Sequence, residues 1–528
     1  MVSEQHSVTS APPMQAHNLS QGSATSSKLP TPLKLELTVK LDHNNFLLWR
    51  QQVLAAIKGI KQKNEHLETL EIRGCHSLTF IFRGQLPPSL KKLSIEDCEK
   101  LQCLLDDNET STYSSSSMMH SSHLTTSLLE GIRQKNEHLE TLEIRGCHSL
   151  TFIFRGQLPP SLKKLSIGSC VKLRCLLDDN ETSTYSSSSV NVNHSHLVEL
   201  TIYECPSLTC LPLPDQFSAT LTSLVICYCS NLTTLWLPVA LKCLYIEECQ
   251  KLTTLLPRDQ LPETLETLHI RECGKLESIV ERFHNNTALN QIQISRCSNL
   301  KSIPDDLYTL SGLHEIEILN CQDLVSFPKG GFPNSILHVS ITNCEKLKAL
   351  PSQIHTLSSL RSLIISKCPS LSYPEEGFPA NLLYLKISSP NLYKPLTNLG
   401  FHNLTSLIAL NIHELADAES FHEEEMEMTL PHTLTLLSIK NFPKLKCLSC
   451  KSMENLTSLE YLLFSNCPEL TSLPNLPSSL LGLEIRGCPL LKEACKRDKG
   501  KEWYKIADIP CVDIDYQFIY DAYEDSEM

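Results

Sequence analysis

One pattern governs what this chain can become. The string L-x-x-L-x-I-x-x-C-x-x-L recurs along most of its length, in clear copies from Leu67, Leu90, Leu197, Leu221 and Leu241. Further copies begin at Leu139, Leu162, Leu265, Leu289, Leu313, Ile336, Leu360, Leu459 and Leu480. Degenerate copies begin at Leu382, Leu407 and Leu434, where Pro390, Leu415 and Phe442 stand in for the cysteine, which brings the total to seventeen. The L-x-I alternation specifies a short strand with one buried face. A single such strand cannot bury that face alone. Neighbouring copies must stack in parallel and share one continuous core.

Between Leu221 and Leu360 the copies repeat every 20 to 24 residues, which is the spacing of leucine-rich repeats. The expected fold is therefore α/β in class: a leucine-rich-repeat solenoid with a parallel β-sheet on its concave face. Proline precedes many strands, as in LPPSL at Leu158, LPETL at Leu261 and FPNSI at Phe332. Proline there disfavours a regular helix. The convex side is expected to be mostly 3₁₀ and irregular, with few helices. At about 4.8 Å per strand, seventeen strands would line an arc of roughly 80 Å.

The cysteines follow the repeat. Of 23 in the chain, fourteen occupy the one conserved register position after the strand, from Cys75 to Cys488. A position used once per repeat reads as structural, so these are expected to be buried, reduced thiols. The weak S–H donor is expected to meet a carbonyl of the next coil. The N-terminal Met1 to Lys28 is polar, with neither an apolar core nor a basic start, so no secretory signal is read there. No apolar run is long enough to span a membrane. A net charge of -13 counts against a chain built to grip nucleic acid. The expected location is cytoplasmic.

Two segments depart from regularity. Residues 60–117 and 132–189 are the same sequence offset by 72, except for Lys61/Arg133, Glu96/Gly168, Asp97/Ser169, Glu99/Val171 and Gln102/Arg174. Each copy ends in a Ser/Thr-rich tract, read as a loop outside the solenoid. The acidic Glu423–Glu427 with Met428 is likewise read as a solvated loop. The expected organisation is a disordered tail over 1–39, a short helical segment over 40–59, the solenoid over 60–491, and a cap with an acidic tail over 492–528. Phe46, Leu47, Trp49, Val53, Leu54 and Ile57 give the second segment an amphipathic helical spacing. It resembles the start of the capsid-like polyprotein of copia-type retrotransposons, and the junction near Gly59–Lys61 reads as a fusion.

The repeat with its interleaved LP and FP turns resembles the C-terminal region of plant intracellular immune receptors, the coiled-coil class of nucleotide-binding leucine-rich-repeat disease resistance proteins. The ending strengthens this. Gly487, Cys488, Pro489, Leu491, Lys492, Glu493, Cys495, Trp503, Ile506, Ala507, Ile509 and Pro510 match that family's characteristic close. The resemblance implies a sensing module that recognises pathogen effectors or host partner proteins. It does not extend to the nucleotide switch, since no G-x-x-x-x-G-K-[ST] occurs in these residues. A substrate-adaptor solenoid and a non-functional retroelement fusion product stand as alternatives.

Catalytic chemistry is not expected. No G-x-S-x-G elbow is present. The one C-x-x-C, Cys447–Cys450, has no second pair at zinc spacing and reads as packing. No cofactor or metal is expected. Cys227 should face outward, with some surface reactivity. The plausible working surface is the concave sheet, whose outward side chains are the x positions around L-x-I. Tyr203, Tyr228, Tyr245, Glu247, His269 and Arg271 are the expected protein-binding residues, because tyrosine and arginine among charges make interface hot spots. The many glutamates there favour a partner with a basic patch.

Overall fold

A computed structural model of the chain describes residues 33–37 and, with breaks, 67–104, 138–178 and 196–519. Each of the seventeen sequence copies carries a strand, from Leu67–Arg73 to Gly482–Arg486. All of these strands pair in parallel and in direct register. Leu224, Leu244 and Leu268 stand in one row, as do Ile226, Ile246 and Ile270. The alternation does what the pattern requires. In Thr267–Arg271, Leu268 and Ile270 are buried while Thr267, His269 and Arg271 face outward. The result is a leucine-rich-repeat solenoid with one long parallel sheet.

The core is a set of stacked rows. In a typical coil Leu241, Leu244, Ile246, Cys249 and Leu252 are each at most 1% exposed. Burying one such aliphatic side chain is worth about 1.5–3 kcal/mol before entropy costs. Between strands the chain returns through short turns. In LPETL the Leu265 N–H donates to Pro262 O at 3.0 Å. The Thr264 hydroxyl donates to Leu241 O in the preceding coil at 2.8 Å. Ser335 and Ser479 repeat that bond to Leu313 O and Leu459 O. The Pro-x-Ser/Thr-Leu motif therefore both turns the chain and ties it to its neighbour. The convex side carries 3₁₀ turns at Leu307–Thr309, Ile354–Thr356, Phe401–Asn403 and Met453–Asn455.

A backbone feature recurs at the residue before each cysteine. Asp97, Ser169, Glu204, Tyr228, Glu248, Glu272, Arg296, Asn320, Asn343 and Lys367 all adopt φ between 50° and 57°. This left-handed conformation normally favours glycine or asparagine. It is held because the residue's N–H extends the sheet by one more rung, as when Glu248 N donates to Arg271 O at 3.0 Å. In the coil from Leu382, Ser389 at the same position precedes Pro390 and is absent from the left-handed set. Steric pressure from a following proline pushes a residue toward extended geometry.

That turn decides where the thiols point, and it corrects the expectation made for them. Each of the fourteen S–H groups donates to the carbonyl two residues back in its own coil. Cys170 reaches Gly168 O at 3.3 Å and Cys249 reaches Glu247 O at 3.6 Å. Cys344 and Cys368 also donate to a neighbouring coil, at Ile318 O and Ile341 O, both 3.9 Å, and the Cys488 sulfur accepts the Cys467 N–H of the coil before it at 3.4 Å. The left-handed residue folds the sulfur back over its own strand end. All fourteen are buried thiols. Burial pushes the Cys229 thiol up to about 12 and Cys321 up to about 11.

Three segments differ from the sequence expectation. Leu33–Leu37, placed in the polar tail, is a strand paired with Leu67–Arg73. Its LKLEL alternation is a strand pattern. Glu425–Met428, read as a loop, pairs in parallel with Cys447–Cys450. The C-x-x-C thus forms a strand of its own. Within the span read as cap and acidic tail, Cys511–Ile514 adds a strand to Gly482–Arg486, with Val512 and Ile514 buried. The amphipathic segment 40–59 and the two Ser/Thr tracts lie outside the described residues.

The cap closes the open end of the core. Leu491, Cys495, Ile506 and Ile509 are buried, and Trp503 packs against them half-buried. Glu502 is 7% exposed and accepts the Leu473 N–H at 3.1 Å. It pairs at 2.7 Å with Lys505, whose ammonium also donates to Leu473 O. One ion pair thereby satisfies both backbone groups of Leu473.

Candidate functional site: the concave sheet

The outward positions of the strands form three parallel rows of side chains. Their content follows from the register. Tyr203, Cys227, Glu247 and Arg271 succeed one another in one row, and Val225, Tyr245, His269 and Gln293 in the next.

Four of the six expected binding residues come together. The Tyr245 hydroxyl donates to Glu247 Oε2 at 3.0 Å. Arg271 Nε lies 3.4 Å from Glu247 Oε1 and 3.3 Å from Glu272 Oε1. Tyr245 and His269 meet edge to face with centroids 6.1 Å apart. The His269 Nε2 is buried without a hydrogen-bond partner. The network ties the tyrosine hydroxyl and the arginine to one carboxylate.

The other two expected residues lie apart. Tyr228 sits at the left-handed turn beside the cluster, exposed, and the neighbouring Glu247 raises its phenol above the ordinary value. Tyr203 turns the opposite way. Its ring lies over Gly168, where a Cβ would come within 1.9 Å of it. From there it meets the Arg145 guanidinium at 5.4 Å. The corresponding residue of the first duplicated block is Glu96. The glycine is what lets an aromatic ring lie flat at this seam. Cys227 faces outward as expected, but it is half-buried. Burial, then Glu247, pushes its thiol up to about 11, which works against the expected surface reactivity.

Arg296, which sequence reasoning did not name, continues the network. Arg296 Nη1 contacts Glu272 Oε1 at 2.5 Å. Glu248 is held above the usual carboxylate range by its hydrogen bond to Glu272. Glu272 is held below it by that bond and by Arg296. The left-handed turns bring these three side chains to one rim, and no residue type at those positions announces the turn. Farther along, Gln293 donates to Glu317 at 2.8 Å and Gln291 to Glu315 at 3.2 Å.

The charge of the surface changes along its length. In the strands from Glu199–Tyr203 to Glu315–Leu319, the outward positions hold Glu199, Glu247, Glu315 and Glu317 against Arg271 alone. From His338–Thr342 to Leu436–Lys440 they hold Lys386 and Lys440 and no carboxylate. The expected acidic surface is one half of a two-signed one. Before both halves, Lys91–Glu68, Lys92–Glu143 and Lys163–Glu140 pairs offset charge within the duplicated blocks.

Among the described residues no group of three or more His, Cys, Asp or Glu could hold a metal ion. No helix among them is long and apolar enough to cross a membrane. No protein-family model matches the chain. An Arabidopsis thaliana protein named for disease resistance is 34% identical over 141 residues, 26% of this chain. The chain spans about 10% of that relative's length. Among solved structures, the leucine-rich-repeat domain of the type III effector XopL covers 65% of this chain and 84% of its own, at 18% identity and a TM-score of 0.27. A leucine-rich-repeat protein of Leptospira interrogans covers 72% and 91%, at 20% identity and a TM-score of 0.34.

Proposed function

We propose that this chain is an interaction module of plant defence, a solenoid whose concave sheet recognises a pathogen effector or a host partner protein in the cytoplasm. The fold is a leucine-rich-repeat scaffold, and the observation that carries the reading is the Tyr245–Glu247–His269–Arg271 cluster. An aromatic and a cation are locked together on an exposed sheet, with no catalytic arrangement built around them. Such preorganised tyrosine and arginine residues are where binding energy concentrates. The partial match to a protein named for disease resistance, and the family ending at Gly487 to Pro510, supply the defence context. In this reading the chain senses, and nucleotide exchange is the work of other domains.

The test is comparative affinity purification from pathogen-challenged plant tissue. Wild type is run beside Tyr245→Ala and Arg271→Glu variants, each shown to melt like wild type. A protein retained by wild type and lost by both variants supports the reading. Identical partners on all three would place recognition elsewhere. Retention abolished by nuclease would replace the protein partner with a nucleic acid.

A further inference from the structure

The far end of the concave sheet carries a second feature, remote from the tyrosine cluster. Lys386, His413, Ser438 and Lys440 lie on three neighbouring strands, Tyr384–Ser388, Ala409–His413 and Leu436–Lys440. The register sets Lys386 beside Asn411, Asn411 beside Ser438, and His413 beside Lys440. Ser438 is 2% exposed, and its hydroxyl has no hydrogen-bond partner. A buried hydroxyl left unpaired costs free energy, and such a group calls for an explanation. The outward positions of these three strands hold no carboxylate to balance the two ammonium groups. Burial raises the Tyr384 phenol, and the neighbouring Asn411 side chain partly offsets that rise.

We propose that this patch is a binding site for a phosphoryl group. Two ammonium groups with no local counter-charge match a dianion, and a phosphoryl group offers three acceptor oxygens. Lys386 and Lys440 take one oxygen each as point charges, and the Ser438 hydroxyl, closed to solvent in the free chain, donates to the third once the side chains over it move aside. Asn411 stays with Tyr384 as part of the wall. The imidazole of His413 supports the assignment. Burial first, then Lys386 and Lys440 on the flanking strands, hold it down to about 4, so it is neutral at pH 7. A bound dianion reverses that local potential and raises the histidine. The site goes beyond the proposed recognition surface and stands or falls separately from it. Its ligand is either a free phosphate compound or a phosphorylated side chain.

The experiment titrates the full chain at low salt, following the His413 ring resonance, with inorganic phosphate and with a phosphoserine peptide. The serine and glutamate forms of the peptide are titrated in parallel. Saturable binding of either phosphoryl probe, with the His413 titration moved upward, is the expected result. Tighter binding of phosphate marks a free ligand, and tighter binding of the phosphopeptide marks a modified partner. The Lys386→Gln/Lys440→Gln variant should lose about tenfold or more in affinity. Ser438→Ala should lose affinity to a smaller degree and serves if the double variant does not fold. Lys242→Gln, on the distant part of the sheet, should bind as wild type. No saturable binding, equal binding by the double variant, or a glutamate peptide that binds as well as the phosphopeptide would overturn the assignment.

Discussion

The row of left-handed residues before the cysteines makes a quantitative claim about stability. Lys367 is the cleanest place to test it, since it is exposed and has φ 53°. Its N–H donates to Ser388 O at 3.0 Å, so the conformation is fixed by the sheet. Holding a residue with a Cβ in this region costs about 1–2 kcal/mol. Glycine escapes that cost but loses about 0.5–1 kcal/mol in extra chain entropy on folding. Lys367→Gly should therefore stabilise the surrounding coils by about 0.5–1 kcal/mol. Lys367→Asn should do nearly as well, because asparagine tolerates this region. Lys367→Val should destabilise by about 1 kcal/mol or more, since branching at Cβ worsens the clash. Urea unfolding followed by far-ultraviolet circular dichroism reads all three as midpoint shifts at constant slope. Valine and glycine giving the same midpoint would refute the argument. So would a glycine variant less stable than wild type, which would mean the lysine side chain supplies more than the backbone costs.

Three further outcomes are expected. Ile246 is fully buried between Ile226 and Ile270, so Ile246→Asp should lose the 2–5 kcal/mol or so of a large-to-small core change, plus the carboxyl's burial penalty. Hydrogen exchange should show protection lost first in the adjoining coils, and unaltered exchange there would contradict the shared core. Glu502→Ala leaves the Leu473 N–H and the Lys505 ammonium without their buried partner, and should cost about 3–5 kcal/mol; proteolysis confined to the cap is the readout, and a cap as resistant as wild type would count against it. Brief alkylation of the folded chain at pH 7.5, mapped by mass spectrometry, should modify the exposed Cys210, Cys243 and Cys511 ahead of the buried register cysteines; early labelling of Cys229 or Cys321 would show that these thiols are not closed off.

The inward half of this structure was legible because its cause is periodic. Leu244, Ile246 and Cys249 recur at fixed offsets, and stacking demands direct register, so strand, core and repeat number follow together. The turn after the strand was less legible. Gly74, Gly146, Gly487, Asn320, Asn343 and Asn466 hint at it, but Glu204, Tyr228, Glu248, Glu272, Arg296 and Lys367 fill the same position in other coils, so composition marks the conformation only in part. The misjudged thiol bonds follow from that blindness, because the turn aims the sulfur. Tyr245, Glu247, His269 and Arg271 could be grouped from their outward offsets alone. Tyr203 stands apart from them because its direction depends on the missing side chain at Gly168. Leu33–Leu37 and Glu425–Met428 were misread because composition was weighed over their alternation of residues.

The seams of the duplicated blocks carry an implication for how such a scaffold grows. The last strand of the first block, Lys92–Glu96, lies against the opening strand of the second, Thr141–Arg145. The last strand of the second, Lys164–Gly168, presents the equivalent edge to Glu199–Tyr203. One block thus accepts either a copy of itself or the ordinary array as its successor. Genetic duplication can then lengthen the arc in whole units without disturbing what lies beyond it, and two of the five differences between the blocks, Glu96/Gly168 and Asp97/Ser169, fall at that junction. Reach along the inner face becomes adjustable in discrete steps, independent of the residues that give any one step its specificity.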